Sequence, residues 1–188
     1  MPNSKHSIRR RLTPEQRVGQ LLETALELYA EKGLGRAGHG DIAKRAGVST
    51  GTVFNYFPTI EDLNTAVMDA VSHETLAIFE DQADVISGSS PILIYGARLL
   101  AVVERNPNLL KIFLNWSHSY SDPFRGRFLE LKGTIIDHIA QSLPPREQAH
   151  IDAQIIFGTG VLFAQMKVEG ASDDDLQQFA ARVAQLVG

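Results

Sequence analysis

Residues 38–63 constrain this chain more than any other stretch: Gly-His-Gly-Asp-Ile-Ala-Lys-Arg-Ala-Gly-Val-Ser-Thr-Gly-Thr-Val-Phe-Asn-Tyr-Phe-Pro-Thr-Ile-Glu-Asp-Leu. The pattern predicts two short helices joined by a tight turn. Ile42 and Ala46 fall four apart, on one face of the first helix. Ala43 and Ala46 are small enough for a second helix to approach closely. Gly47 suits the left-handed conformation that ends a helix, and Val48 then turns inward. Ser49 is a good N-cap, its hydroxyl placed to accept the Thr52 backbone N–H. Val53 and Phe57 form the buried stripe of the second helix, and Pro58 stops it. Two crossed helices around a glycine turn make a helix-turn-helix, whose second helix can enter a DNA major groove.

The outer face of that second helix carries Thr50, Gly51, Thr52, Asn55 and Tyr56. None is needed for a core, and all suit DNA. Asn bonds adenine at two points, Thr meets a thymine methyl or a phosphate, and Tyr reaches a phosphate. Gly51 lets another backbone come close. Taken alone, the same residues also fit a surface turn in some other all-α bundle.

The residues Ile42-Ala43, Ala46-Gly47-Val48-Ser49, Gly51 and Tyr56-Phe57 resemble the signature of TetR-type transcriptional regulators. Gly38-His39, Asp41-Ile42-Ala43 and the run from Thr52 to Thr59 are similar to the LuxR/HapR-like branch, the quorum-sensing master regulators of vibrios. The similarity is strong over residues 9–63 and weak afterwards, apart from Leu110-Lys111 and Trp116-Ser117. It implies an all-α fold of about nine helices: a three-helix helix-turn-helix head on a helical body for dimerisation and ligand binding. It also implies arginines of the N-terminal arm in a minor groove. DNA contacts are expected from Arg9, Arg10, Arg11, His39, Lys44, Ser49, Thr50, Gly51, Thr52, Asn55 and Tyr56. One departure stands out. Where the family usually carries Lys or Arg facing a phosphate, this chain has Ile60, with Lys44 and Arg45 placed to compensate.

Charge supports the same division. The net charge is −4, yet residues 1–60 hold nine Lys/Arg against five Asp/Glu, while the rest holds nine against seventeen. A basic head on an acidic body fits nucleic-acid contact through the head only. The chain has no cysteine, so disulfides and zinc–thiolate sites are excluded. It has no run of about 18 apolar residues and no apolar segment after its charged start, so neither a membrane span nor a signal peptide is expected. A cytoplasmic location is expected.

In chain order, residues 1–12 read as a basic arm, 13–60 as the DNA-binding head and 61–188 as the body. Arg9-Arg10-Arg11 suits a narrow A·T-rich minor groove, although the triplet alone also fits a solubilising tail. Thr13-Pro14-Glu15-Gln16 is a capping box, and Gly33 closes the helix it begins. Thr59 caps a long helix running to about residue 83. Ser87-Gly88-Ser89-Ser90-Pro91 is a loop. Helices follow over 92–103 and 109–120, from Asp122-Pro123 to Ile139, over 146–168, and over 173–187.

Catalysis is not expected. The six histidines (His6, His39, His73, His118, His138, His150) include no His-x-x-x-His pair, and Gly158-Thr159-Gly160 lacks the strand and third glycine of a dinucleotide loop. No metal or cofactor is expected. Phe79, Leu100, Val103, Phe113, Trp116 and Phe128 are candidates to line a cavity. Their spacing alone favours a solid core. The resemblance implies a pocket, with Trp116 matching a pocket tryptophan and a small apolar ligand as partner. Ile151, Ile155, Gly158 and Leu162 make an apolar stripe on 146–168, with Glu147, Gln154 and Gln165 on the opposite side. Phe179, Val183 and Leu186 make another on 173–187. Both stripes are expected in a four-helix homodimer interface, which would let two heads bind one duplex as double-stranded DNA partner.

Overall fold

The computed structural model describes residues 12–80, 90–120 and 123–187, and every element in them is helical. In chain order these are α1 (Pro14–Lys32), α2 (His39–Ala46), α3 (Thr50–Tyr56), α4 (Ile60–Glu80), α5 (Pro91–Arg105), α6 (Pro107–His118), α7 (Arg125–Ser142), α8 (Ala149–Val168) and α9 (Asp173–Val187). The arm with Arg9, Arg10 and Arg11, and residues 81–83 of the expected long helix, lie outside the described residues. Among the described residues no helix is long and apolar enough to cross a membrane.

The helix starts follow from local chemistry. Thr13 Oγ1 accepts the Gln16 N–H at 3.2 Å, and the Gln16 side chain accepts the Thr13 N–H at 3.0 Å. Thr59 and Asp62 repeat this reciprocal cap at α4, at 3.1 and 2.9 Å. Gly47 sits at φ 68°, left-handed, and lets the chain double back from α2 into α3.

Three boundaries differ from the sequence reading. A single residue, Asn106, separates α5 from α6, so α6 begins at Pro107 and ends at His118. Helix α7 starts at Arg125, because Pro123 and Phe124 form a turn pinned to α6. There the Trp116 Nε1–H donates to the Phe124 carbonyl at 3.2 Å, and Arg125 donates to the Ser117 carbonyl at 3.0 Å. Helix α8 starts at Ala149, after a turn in which Arg146 pairs with Asp152 at 3.4 Å.

Helices α1, α2 and α3 form the head. One continuous core runs from Leu21 in α1 through Ile42, Val53, Leu63, Ile112 and Ile135 to Ala164 in α8, so head and body share their packing. Helix α1 lies against α6, and α4 touches α1, α5, α6 and α7. Inside this junction the Tyr29 hydroxyl donates to Asn64 Oδ1 at 2.5 Å, joining α1 to α4. A smaller core of Phe163, Leu176 and Ala180 seats α9 on α5 and α8.

Candidate nucleic-acid interface

Helix α3 is seven residues long and is held from three sides. At its start, Ser49 Oγ accepts the Thr52 N–H at 3.1 Å, as the sequence predicts. Along its inner side Val53 and Phe57 are buried. At its end, the His39 ring hydrogen-bonds the Phe57 carbonyl through Nε2 at 2.7 Å and stacks on Phe54, with centroids 4.1 Å apart. Helix α2 is fixed in turn by Gln20, whose side chain donates to the Ala46 carbonyl at 3.2 Å.

This frame leaves Thr50, Gly51 and Asn55 exposed, with Thr52 and Tyr56 half-buried at the edges. A Cβ on Gly51 would meet only Ser49 Oγ at 3.8 Å, so nothing in the protein requires glycine there. Ser49 and Thr52 share a hydroxyl–hydroxyl hydrogen bond of 2.9 Å, so Ser49 acts first as the helix cap. His39, expected at the DNA, is half-buried, and both the face of its ring and Nε2 are occupied by α3; it braces that helix. Lys44 is exposed and makes no ion pair among the described residues.

Arg45, one of the two residues placed to compensate for Ile60, is paired within the protein. Its guanidinium grips the Glu31 carboxylate at 3.0 and 2.8 Å and lies 3.5 Å from Glu27. That contact holds the Glu31 carboxyl below its ordinary pKa. Lys32 is likewise paired with Asp41 at 3.0 Å, and this pair, with the Gly38 N–H, lowers the Asp41 pKa. Ile60 is half-buried against the core. Phe54, which sequence reasoning passed over, is 48% exposed beside Asn55. Its place outside the Val53–Phe57 stripe was the available signal.

In the body an apolar cavity of about 90 Å³ lies between α4, α5, α6, α7, α8 and α9. Phe79 and Phe113 line it as expected, joined by Tyr95, Phe157, Phe163 and Phe179. The other four expected lining residues stand elsewhere. Leu100 packs in the small core under α9. Val103, Trp116 and Phe128 sit in the main core off the cavity wall. Trp116 is drawn away by its hydrogen bond to the α6–α7 turn, which turns its ring edge-on to Phe128, with centroids 5.5 Å apart. The Tyr95 hydroxyl is buried and makes no hydrogen bond. Burial raises its pKa.

The stripe on α8 shares one exposed side of the helix with residues expected to oppose it. Ile151, Ile155 and Leu162 are exposed at 57%, 50% and 48%, with Gly158 exposed between them. Gln154 and Gln165 flank this outer face rather than oppose it, because the inner face is apolar too: Ala153, Ile156, Phe163 and Ala164 are buried. On α9, Leu186 is exposed, Val183 half-buried, and Phe179 turns into the cavity wall, 6.4 Å from Phe163.

Residues 21–67 match the family described as bacterial regulatory proteins, tetR family. The chain is 41% identical over 115 residues to the HTH-type transcriptional regulator LuxR of Vibrio harveyi, an alignment covering 61% of this chain and 56% of that protein. It thus spans little more than half of that relative's length. Among solved structures, a transcriptional regulator from Rhodococcus superposes with a TM-score of 0.75 at 18% identity, over 90% of this chain and 94% of the other. The Bacillus subtilis transcriptional regulator FadR, in complex with stearoyl-CoA, does so with 0.69 at 19% identity, over 90% and 97%. Residues 21–67 thus match the N-terminal domain of the tetR family, and the chain shares its fold with solved TetR-like regulators.

Proposed function

We propose that this protein is a sequence-specific DNA-binding transcriptional regulator that binds a pseudo-palindromic promoter site as a homodimer in the cytoplasm. The observation that carries the reading is the outer face of α3. A braced, capped helix presents Thr50, Gly51 and Asn55 to solvent, and the fold itself has no use for them. Asn55 reads a base edge, Gly51 admits the close approach, and Thr50, Thr52, Tyr56 and Lys44 hold the backbone. The arm arginines enter the adjacent minor groove. The similarity to the Vibrio harveyi regulator supports the LuxR/HapR-like kind, with control by cell density as the finer reading.

Dimerisation rests on the outer stripe of α8. A helix apolar on both faces is stable only when both are covered, and one chain covers only the inner one. A two-fold copy brings two heads to major grooves about 34 Å apart. The apolar cavity supports a second layer, modulation by a small apolar ligand, and FadR in its stearoyl-CoA complex shares the fold.

Mapping of bound chromosomal sites together with transcript changes tests the whole reading. Discrete palindromic sites at promoters whose transcripts change on deletion are expected. In vitro, the affinity for such a site should fall steeply with salt. Absence of any enriched site, or equal affinity for the site and random DNA, would overturn the proposal.

A further inference from the structure

We propose that Phe54 is a base-reading residue, held by the His39 ring so that its edge meets a thymine methyl group in the major groove. This rests on the DNA-binding reading above and adds a specificity determinant to it. A single exposed apolar side chain is ordinary on a protein surface. Phe54 differs in three ways. It stands on the helix that faces DNA, one residue before Asn55 and four after Thr50. It is 48% exposed although a core lies directly beneath its own helix. And it is not free to move: the His39 imidazole lies flat on it, 4.1 Å between centroids and 12° from parallel.

His39 is anchored in turn. A carbonyl only accepts, so His39 Nε2 carries the proton and donates to Phe57 O at 2.7 Å. That carbonyl belongs to Phe57, the C-cap residue of α3, where carbonyls lack helical donors and the His39 N–H supplies one. The imidazole therefore ties the orientation of Phe54 to the end of the recognition helix. His39 is a positioning residue, acting through Phe54.

The chemistry of the partner follows from what phenylalanine lacks. With neither donor nor acceptor it cannot hydrogen-bond a phosphate or a base edge. The apolar group that carries sequence information in the major groove is the thymine 5-methyl. Deoxyribose carbons are the other apolar surface, and contact with them is blind to sequence.

Duplexes bound by the full chain are enriched from a random pool, and thymines in the selected site are replaced by uracil one at a time. Loss of the methyl at one position per half-site should weaken the parent by about fourfold, the value of one buried methyl-sized group. Phe54→Ala should abolish that thymine–uracil difference there and keep it elsewhere. His39→Ala should shrink the same difference although Phe54 is present, and His39→Phe, which keeps a ring to stack, should restore it. A thymine–uracil difference that survives in Phe54→Ala overturns the proposal. Equal weakening of thymine and uracil duplexes by Phe54→Ala also overturns it, and identifies a sugar contact. A parent that enriches a site but ignores every methyl overturns this inference alone. A parent that enriches no duplex overturns the DNA-binding reading beneath it.

Discussion

Gly51 is helical, exposed and unconstrained by its neighbours, and glycine in a helix costs stability relative to alanine. The residue makes sense if something outside the chain approaches its backbone. Gly51→Ala should therefore stabilise the head, by up to about 1 kcal/mol, and weaken DNA binding. Thermal melting and duplex titration measure the two effects; a stabilised variant with parental affinity would remove Gly51 from the interface. Tyr29 makes the opposite case, a polar group the fold cannot spare. Burial pushes its pKa up to about 12, and its hydroxyl satisfies Asn64, which is buried beside it. Tyr29→Phe should cost about 1–3 kcal/mol, the usual penalty for a stranded buried acceptor. A urea midpoint equal to the parent's would mean that Asn64 finds another partner.

At the scale of elements, the head is assembled by caps and by carboxylates at helix starts. The Asp62 carboxyl accepts from the Thr59 hydroxyl and backbone, which lowers its pKa below the ordinary value. Asp41 at the start of α2 is lowered by Lys32 and the Gly38 N–H. A folded pKa below the unfolded one contributes stability that is full above the unfolded value, about 4, and is lost as pH falls through the folded value. Asp62→Asn should thus be less stable than the parent at pH 7, and the gap should close as pH is lowered toward 3. Chemical denaturation at three pH values measures it. A gap that stayed constant with pH would mean the charge on Asp62 contributes nothing.

For the whole molecule, the decisive feature is an apolar helix whose outer face a single chain leaves bare. Leu162 is 48% exposed, so Leu162→Glu should leave the single-chain fold intact. In a symmetric dimer the same carboxylate would be buried, at a cost of several kcal/mol. Light scattering should give twice the chain mass for the parent and the chain mass for the variant, and the variant should lose its affinity for the full palindrome. A folded Leu162→Glu dimer would place the interface elsewhere.

What was legible in the sequence was local. The Thr13–Gln16 and Thr59–Asp62 caps, the Ser49 cap and the Gly47 turn each involve residues within a few positions of one another, so short-range stereochemistry decides them. The helix-turn-helix is a chain of such local decisions, and it was readable together with the exposed Thr50, Gly51 and Asn55, though not with Phe54. What needed the tertiary structure was every choice between distant partners. His39 turned toward α3, and Arg45 toward Glu31 in α1, because packing brought a carbonyl and a carboxylate within reach. Trp116 left the cavity for a carbonyl eight residues on, and Phe179 entered its wall. On α8 the apolar residues surround the helix, so periodicity carries no direction. Only the packing of α5, α6, α7 and α9 against it decided that Ile156 and Phe163 face the core while Ile155 and Leu162 face out.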